Sequence, residues 1–591
     1  MHRSVAGLLC LAVLLVAANA GQSSTTALAP QLAPNLPPGD FVARVYYSQI
    51  SDLAALAGYD IWEYNNLEEK FVLVALSEAD YLLLEQEGWQ LEVDWKATTD
   101  IKNHSLRPFL NGYKTVDEIY ATLESLNAQF PTLSEWVTYG DGYCLTQGGC
   151  SILGGEFFAG YPLQALRISN EDVSGTSIVQ GLEIVRGQKP VFVLLANIHA
   201  REITTAEIAM RFAEWMLTQY GQDADATWLV DWHELWIIPT ANPEGHWLVE
   251  LGSSPPYDGA PFYQRKNLNN DVDDDQQSDC SVWPPSAGWQ YGVDLNRNHS
   301  FAWGPPGSSS EPCSQTFRGP HMASEPETAA LQQLVRKLIP DQRGPALEDS
   351  APLDTTGILL TLHSYSELIL RPWGHTSQEA PNEPGLKAIG DKMATYSGYR
   401  SCQPGSCLYG ANGATDDWAY GELGIPAFTF EIGREFMPPY EMIDAVQWPE
   451  NKPAFIYAAK IARSPYQTVW GPDVTQAAVS SHVASDAIQI SVVIDETDHG
   501  GQNIQDAVYS VDTPFWSDGA LPLPTAAADG AYDSVTEDVV ITIDPGSLSA
   551  GKHIVFIRGQ DSAGNFGVTA SVFIEVEATR LFHFPLVLRN K

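Results

Sequence analysis

The sequence predicts an α/β protein whose large middle region is a mixed, mostly parallel sheet with helices on both faces. Three observations predict it. Between residues 108 and 464, apolar runs of strand length alternate with amphipathic helical patterns, as in strands joined by crossover helices. Several of these runs, Val191-Phe-Val-Leu-Leu-Ala196 among them, have the composition of a buried strand. On either side the pattern changes, with a small α+β unit before and strands alone after. At 591 residues the chain is too long for one core, so several domains are expected.

The first segment is read as a signal peptide, residues 1–20. Met1-His-Arg-Ser is basic, Gly7-Leu-Leu-Cys-Leu-Ala-Val-Leu-Leu-Val is apolar, and Ala18-Asn-Ala20 offers small residues for cleavage. That apolar run is short for a membrane span, and no other stretch has the composition to cross one, so no transmembrane segment is expected after signal removal. Residues 21–107 form the next unit. A Ser, Thr, Ala and Pro-rich leader runs to about residue 39. Phe41 to Tyr47 and Lys70 to Leu76 read as strands, with a short helix from Ser51 to Gly58 between them. Ser77 caps a helix from Glu78 to Glu87, and Trp89 to Val93 reads as a third strand. Polar residues 95–107 are the linker. This unit carries no cluster of catalytic residue types.

The middle region, residues 108–464, opens with an amphipathic helix from Lys114 to Leu126. A second helical pattern runs from Ile203 to Tyr220. Residues 267–289 look like an insertion loop, and the acids of 271–279 offer the oxygen ligands that calcium favours. They lack EF-hand spacing, so a solvated loop is the competing reading. From residue 465 to 591 the pattern is β only. Ala487 to Ile494, Asp538 to Ile543, His553 to Arg558 and Ser571 to Val576 are strands separated by Gly, Asp and Pro turns, which predicts a β-sandwich. The tail, Leu581 to Lys591, reads either as a last strand or as a sorting signal.

The net charge of −41 argues against nucleic-acid binding, which asks for a basic face. Of seven cysteines, Cys10 lies in the signal. The others fall into neighbouring pairs, Cys144 with Cys150, Cys280 with Cys313, and Cys402 with Cys407, a pairing preferred because the loops are short. No CxxC occurs, so disulfides in an oxidising, extracellular compartment are preferred over a cysteine-ligated metal.

Three apolar runs end in an ionisable side chain. The first leads to His199, with Glu202 three residues on. Gly357-Ile-Leu-Leu-Thr-Leu-His363 ends in histidine and Pro426-Ala-Phe-Thr-Phe-Glu431 in glutamate. Each alone reads equally well as a capped core residue. Together they need compensation, because desolvating an ionisable group costs several kcal/mol. A shared divalent cation supplies it. Two histidines and a glutamate with an open position form the catalytic zinc pattern, which leaves Glu431 as general base for water activated there. His233-Glu234-Leu-Trp-Ile lacks the second histidine of HExxH, and no GxSxG elbow is present.

At these residues the chain resembles the funnel-type zinc metallocarboxypeptidases, the family of pancreatic carboxypeptidases A and B and their secreted bacterial relatives. The resemblance spans residues 108–463. His199-Ala-Arg-Glu202 and His363-Ser-Tyr365 look like the family's metal motifs. Gly292-Val-Asp-Leu-Asn296-Arg297-Asn matches the segment gripping the substrate's terminal carboxylate. Tyr409, Asp417-Trp418 and Phe428-Thr-Phe-Glu431 complete the match. The resemblance implies a carboxypeptidase-like fold and an enzyme that hydrolyses the C-terminal residue of peptides and proteins. It implies one Zn²⁺ held by His199, Glu202 and His363, with Glu431 as catalytic base. It further implies that Arg265 holds the oxyanion, that Asn296 and Arg297 bind the free C-terminus with Tyr409 closing over it, and that Arg201 lines the next subsite outward.

In the family, the residue at the position of Asp416 sits at the base of the side-chain pocket. An acid there goes with Lys or Arg preference, and a dual basic and hydrophobic preference is the alternative. The interval from Glu202 to His363 exceeds that of the pancreatic enzymes, in keeping with extra loops around Cys280–Cys313 and 344–354. The α+β unit stands where the family carries its inhibitory pro-domain. The C-terminal part resembles immunoglobulin-like modules of secreted bacterial enzymes, with attachment to a cell surface or polymer as its expected role. A catalytically dead scaffold and an amidase on the same framework are the alternatives. The intact metal motifs weigh against the first, and retention of Arg265, Asn296, Arg297 and Tyr409 against the second.

Overall fold

An eight-stranded mixed sheet forms the middle of the molecule. It is seen in a computed structural model that describes residues 36–103, 112–173, 175–180, 183–257, 259–479, 487–498 and 500–577. The strand order is Arg400–Cys402, Leu368–Leu370, Ala427–Glu431, Ile358–His363, Val191–Ala196, Glu234–Ile238, Pro162–Ile168 and Ser134–Asp141. The four central strands, from Ala427–Glu431 to Glu234–Ile238, are mutually parallel. Antiparallel neighbours join them on both sides.

The central strands are buried at every residue, which is why their sequences are almost wholly apolar. Alternation still decides where each side chain goes. Phe192, Leu194, Leu235, Ile237, Ile358, Leu360, Phe428 and Phe430 face one core, shared with helices Ile203–Thr218, Glu383–Ser397 and Trp448–Ile461. Val191, Val193, Leu195, Trp236, Ile238, Leu359 and Ala427 face the other, shared with helices Pro326–Leu338 and Thr415–Leu423. At the end of Val191–Ala196 the chain turns through Asn197, whose φ is 54°. Asparagine tolerates this left-handed conformation, and here its amide donates to the carbonyls of His199 (3.0 Å) and Ala200 (3.1 Å).

Before this sheet lies a four-stranded antiparallel sheet in the order Asp60–Asn66, Phe71–Leu76, Phe41–Tyr46, Gln90–Val93. Ser77 caps helix Glu78–Glu87 as expected, accepting from the Asp80 amide. Two features depart from the sequence reading. Asp60–Asn66 is a strand, although a bulge between Ile61 and Asn65 breaks its alternation. Much of the polar linker is a helix, Trp95–Asn103, started by Asp94 and tied to the first strand by a 2.9 Å bond from the Val42 amide to Thr98 Oγ1.

After the middle region come two four-stranded antiparallel sheets. One runs Asp473–Val479, Ile488–Asp495, Thr536–Ile543, Ala526–Ala527, and the other Leu523–Pro524, Ile504–Val511, Gly551–Asp561, Ala570–Val576. Residues of both share one apolar core. Strands Asp473–Val479 and Ile504–Val511 were not anticipated, since a register shift interrupts each pattern. The three disulfides join the neighbouring cysteine pairs. Among the described residues no helix is long and apolar enough to cross a membrane. The signal segment 1–20, most of the leader and the tail 581–591 lie outside the described residues.

The described residues from Pro38 onward belong to one compact unit. The C-terminal sheets pack against the middle region through apolar side chains. Phe556 and Val568 are buried in the same core as helices Ile203–Thr218 and Trp448–Ile461, with Phe515 and Trp516 packed against it. Trp516 lies 5.4 Å from Trp228, ring centre to ring centre. Ser571 Oγ donates to Asp225 (2.9 Å) and Lys552 Nζ to the Gly221 carbonyl (2.7 Å). Trp516→Ala is therefore expected to destabilise the middle region by about 2 kcal/mol or more. Urea unfolding followed by activity would show a lowered midpoint, whereas an independently tethered module would leave that midpoint unchanged.

Candidate metal centre and substrate cavity

The parallel strands carry the three expected tips to one edge of the sheet. His363 and Glu431 are register partners at the ends of adjacent strands. His199 follows the neighbouring strand, and Glu202 stands at the N-terminus of helix Ile203–Thr218. Donor atoms of His199, Glu202 and His363 lie within 4.8 Å of one another. His199 Nδ1 is 2.7 Å from Glu202 Oε1, His363 Nδ1 is 3.1 Å from Glu202 Oε2, and the two Nδ1 atoms are 3.1 Å apart. All three residues are buried.

This donor set fits a divalent cation. Two imidazole nitrogens turned toward each other repel through their lone pairs unless a positive centre lies between them. Burial pushes His363 down to about 4, so it is neutral at physiological pH, the form that ligates. Burial alone would raise Glu202, but His199 and His363 beside it hold it below the usual carboxylate range. Behind the ligands, Asp294 Oδ1 lies 3.4 Å from His199 Nε2, and Thr361 Oγ1 lies 3.2 Å from His363 Nε2. Such partners on the far ring nitrogen fix which nitrogen faces a metal.

Asp294 has a second contact, accepting from Arg265 Nε at 3.0 Å. Burial favours its neutral form, but Arg265 and Arg297 outweigh that and keep it ionised. One buried carboxylate thus holds a cavity arginine and lies behind a candidate metal ligand. The sequence reading had included it within the Gly292 to Asn298 segment without giving it a role.

One cavity is lined by eight of the expected residues: His199, Arg265, Asn296, Arg297, His363, Tyr409, Asp416 and Glu431. Arg297 is anchored through Nε to the Gly307 carbonyl (2.8 Å) and through Nη1 to the Asn296 carbonyl (2.9 Å). Asn296 Oδ1 accepts from the Thr415 amide and hydroxyl, each at 2.9 Å. Leu370, Pro404, Leu408, Ala411 and Ala414 add apolar wall around Asp416. Burial and neighbouring Asp417 push the Asp416 carboxyl up to about 7. Asp417 itself accepts from the Gly374 and His375 amides (2.7 and 2.9 Å) and from neither cavity arginine.

Two expected site residues do not line this cavity. Glu202 lies beneath it, against the histidines. Arg201 is fully buried and holds Asp60 of the N-terminal sheet in a two-pronged pair, at 3.0 and 2.9 Å, with its guanidinium over the Phe436 ring at 4.3 Å. Next to Asp60, the Tyr409 hydroxyl stands 3.5 Å from the Ile61 carbonyl. Trp62 then enters an aromatic box of Tyr263, Tyr365 and Phe436, with ring centres 6.4, 6.4 and 5.3 Å away. In the acidic loop, donor oxygens of Asp271, Asp273 and Asp275 also come within 4.8 Å of one another. They also accept from backbone amides at 276, 275 and 277.

Comparison with known proteins places these residues in a familiar setting. The family model described as zinc carboxypeptidase matches residues 151–453, just over half of the chain and all of the site. A zinc carboxypeptidase of Simulium vittatum is 27% identical over 54% of this chain and 85% of its own length. Carboxypeptidase A2 of Rattus norvegicus is 27% identical over 54% of this chain and 62% of that protein. Among solved structures, carboxypeptidase A from Helicoverpa armigera superposes with a TM-score of 0.52 at 21% identity, covering 71% of this chain and 97% of that one. Asp294→Asn is expected to weaken Zn²⁺ affinity by roughly 10–100-fold, read by competition with a chromogenic chelator. His199→Ala should lose more than Asp294→Asn, and equal affinities for Asp294→Asn and wild type would remove Asp294 from the centre.

Proposed function

The chain belongs to the zinc carboxypeptidase family, and on that premise we propose that it is a secreted exopeptidase with Glu431 as general base. The observation carrying this reading is the shared cavity, where Asn296 and Arg297 stand beside Glu431 and the two histidines. A zinc ion held by His199, Glu202 and His363 would supply a Lewis acid for the scissile carbonyl and acidify water. Glu431 takes a proton from the attacking water and returns it to the nitrogen of the leaving amino acid. Arg265, held by Asp294, donates to the carbonyl oxygen as negative charge develops. Asn296 and Arg297 bind the free carboxylate, the guanidinium matching its two oxygens, and Tyr409 closes over the bound residue. Burial of these donors is what restricts cleavage to the chain end, because an amidated terminus leaves a buried cation unpaired.

Asp416 inclines the enzyme toward Lys and Arg at the C-terminus, and the apolar walls beside it fit a dual basic and hydrophobic preference. A carboxyl that ionises near 7 adds a pH dependence. Below that pH it is neutral and attracts a cation weakly, and above it the charge is present. Residues 21–107 act as an intramolecular inhibitor, 108–464 as the catalytic domain and 465–591 as a C-terminal sandwich of immunoglobulin-like kind. The support for inhibition is local. Asp60, Ile61 and Trp62 occupy Arg201, Tyr409 and the aromatic box, where the upstream part of a substrate has to lie. Cleavage within 95–107 would release them.

Peptides ending in a free carboxylate are expected to be cleaved at least on the order of 10³ faster, in kcat/KM, than their amides. Equal rates would remove Asn296 and Arg297 from carboxylate binding. The ratio of kcat/KM for Arg over Phe termini should rise between pH 6 and 8, and a flat ratio would take Asp416 out of the pocket. Glu431→Gln should retain zinc while kcat falls by about 10²–10⁴-fold. Asp60→Ala should raise the activity of the uncut chain at least about tenfold, and unchanged latency would show that this pair does not restrain the site.

A further inference from the structure

The amide of Asn296 can present either its oxygen or its nitrogen to the cavity, and a carboxylate ligand accepts only the nitrogen. The structure settles the choice through a donor that cannot be reversed. The backbone N–H of Thr415 lies 2.9 Å from the Asn296 amide oxygen. Thr415 is the first residue of helix Thr415–Leu423, so this N–H is among those a helix leaves without an internal partner. Turning the Asn296 amide over would set two donors against each other. With Oδ1 held here, Nδ2 is the group left for the cavity that Asn296 lines.

A side-chain relay strengthens the arrangement. Thr415 Oγ1 is also 2.9 Å from Asn296 Oδ1, an acceptor only, so the hydroxyl proton points there. Thr415 Oγ1 must then accept from His299 Nε2, 3.0 Å away. His299 Nδ1, without a proton, accepts from Gln332 Nε2 at 3.2 Å. The relay is self-consistent, because every donor meets an acceptor in one direction only. All four residues are buried. Gln332 belongs to helix Pro326–Leu338, so two helices packed on the same face of the sheet converge on one amide. Burial and the charge of Arg336 push His299 down to about 3, which keeps its ring neutral and the relay intact at physiological pH.

We propose that Thr415, backed by His299 and Gln332, is a positioning residue that fixes the Asn296 amide for the substrate's terminal carboxylate. This rests on Asn296 as a carboxylate donor, the reading proposed above. The test uses the full chain, zinc-loaded and cut between the N-terminal unit and the middle region, acting on benzoyl-Gly-Arg and benzoyl-Gly-Phe. Thr415→Val keeps the volume and the backbone donor but removes the hydroxyl. It should raise KM about five- to tenfold for both substrates with kcat within about twofold, and Thr415→Ser should restore KM. His299→Leu should raise KM in the same way and His299→Gln, which keeps a donor, should restore it. Asn296→Ala is the control. If it raises KM while Thr415→Val and His299→Leu do not, the positioning role is overturned. If Asn296→Ala itself leaves KM unchanged, the carboxylate reading falls instead. Should Thr415→Val fail to fold, the pair His299→Leu and His299→Gln decides, and equal KM values for the two overturn the proposal.

Discussion

The desolvation of three ionisable side chains at one edge of the parallel sheet, two histidines at strand ends and a glutamate at a helix start, is the constraint on which this molecule rests. His199, Glu202 and His363 are almost wholly withdrawn from water. Burying a carboxylate or an imidazolium alone costs several kcal/mol, more than a typical fraction of a domain's net stability. Neutral histidine avoids part of that cost, and a cation shared among the three offsets the rest. Everything that brings the tips together is set by the sheet. The observed register sets His363 beside Glu431 and one strand from the run that leads to His199.

From that edge, electrostatics extend the site outward through a few residues with two partners each. Asp294 serves His199 and Arg265. Asn296 lends its carbonyl to Arg297 and its amide oxygen to Thr415. Thr415 opens the helix that also carries Asp416 and Asp417. His199, Arg265, the Asn296–Arg297 pair and Asp416 are therefore parts of one connected polar network inside an apolar shell. In a low-dielectric setting such a network is rigid when every donor is matched and costly when one is lost.

Much of this was legible in the sequence because it depends on local chemistry. Buried strands announce themselves by composition, the helix from Glu78 by the Ser77 that precedes it, and the tips by a histidine or glutamate closing an apolar run. The neighbouring cysteines needed only short loops. What escaped were features fixed by contacts distant in the chain. Strands Asp60–Asn66 and Ile504–Val511 each contain a bulge, which destroys the period-two signal. Helix Trp95–Asn103 is polar and owes its place to Asp94 and Thr98. Asp294 and Thr415 are unremarkable letters until the fold sets His199 and Asn296 against them. Arg201 was assigned to a subsite from a motif, but its partnership with Asp60 spans two units and has no local trace.

Both flanking units reach the middle region through apolar side chains and through buried ion pairs, Asp60 with Arg201 on one side and Asp473 with Lys392 on the other. The N-terminal sheet reaches the site through an ion pair, Asp60 with Arg201, and through Trp62, while its Val42, Phe71, Leu73 and Ala75 are buried in the same apolar core as the middle region. A buried pair returns little net free energy, since desolvating both charges offsets most of their attraction. Beside them lies an open cavity of about 350 Å³ lined by Arg44, Trp62, Phe71, Tyr263, Tyr365 and Phe436. The C-terminal sheets contribute Phe556, Val568, Phe515 and Trp516 to the main core, and apolar area at roughly 25 cal/mol per Å² carries no such offset.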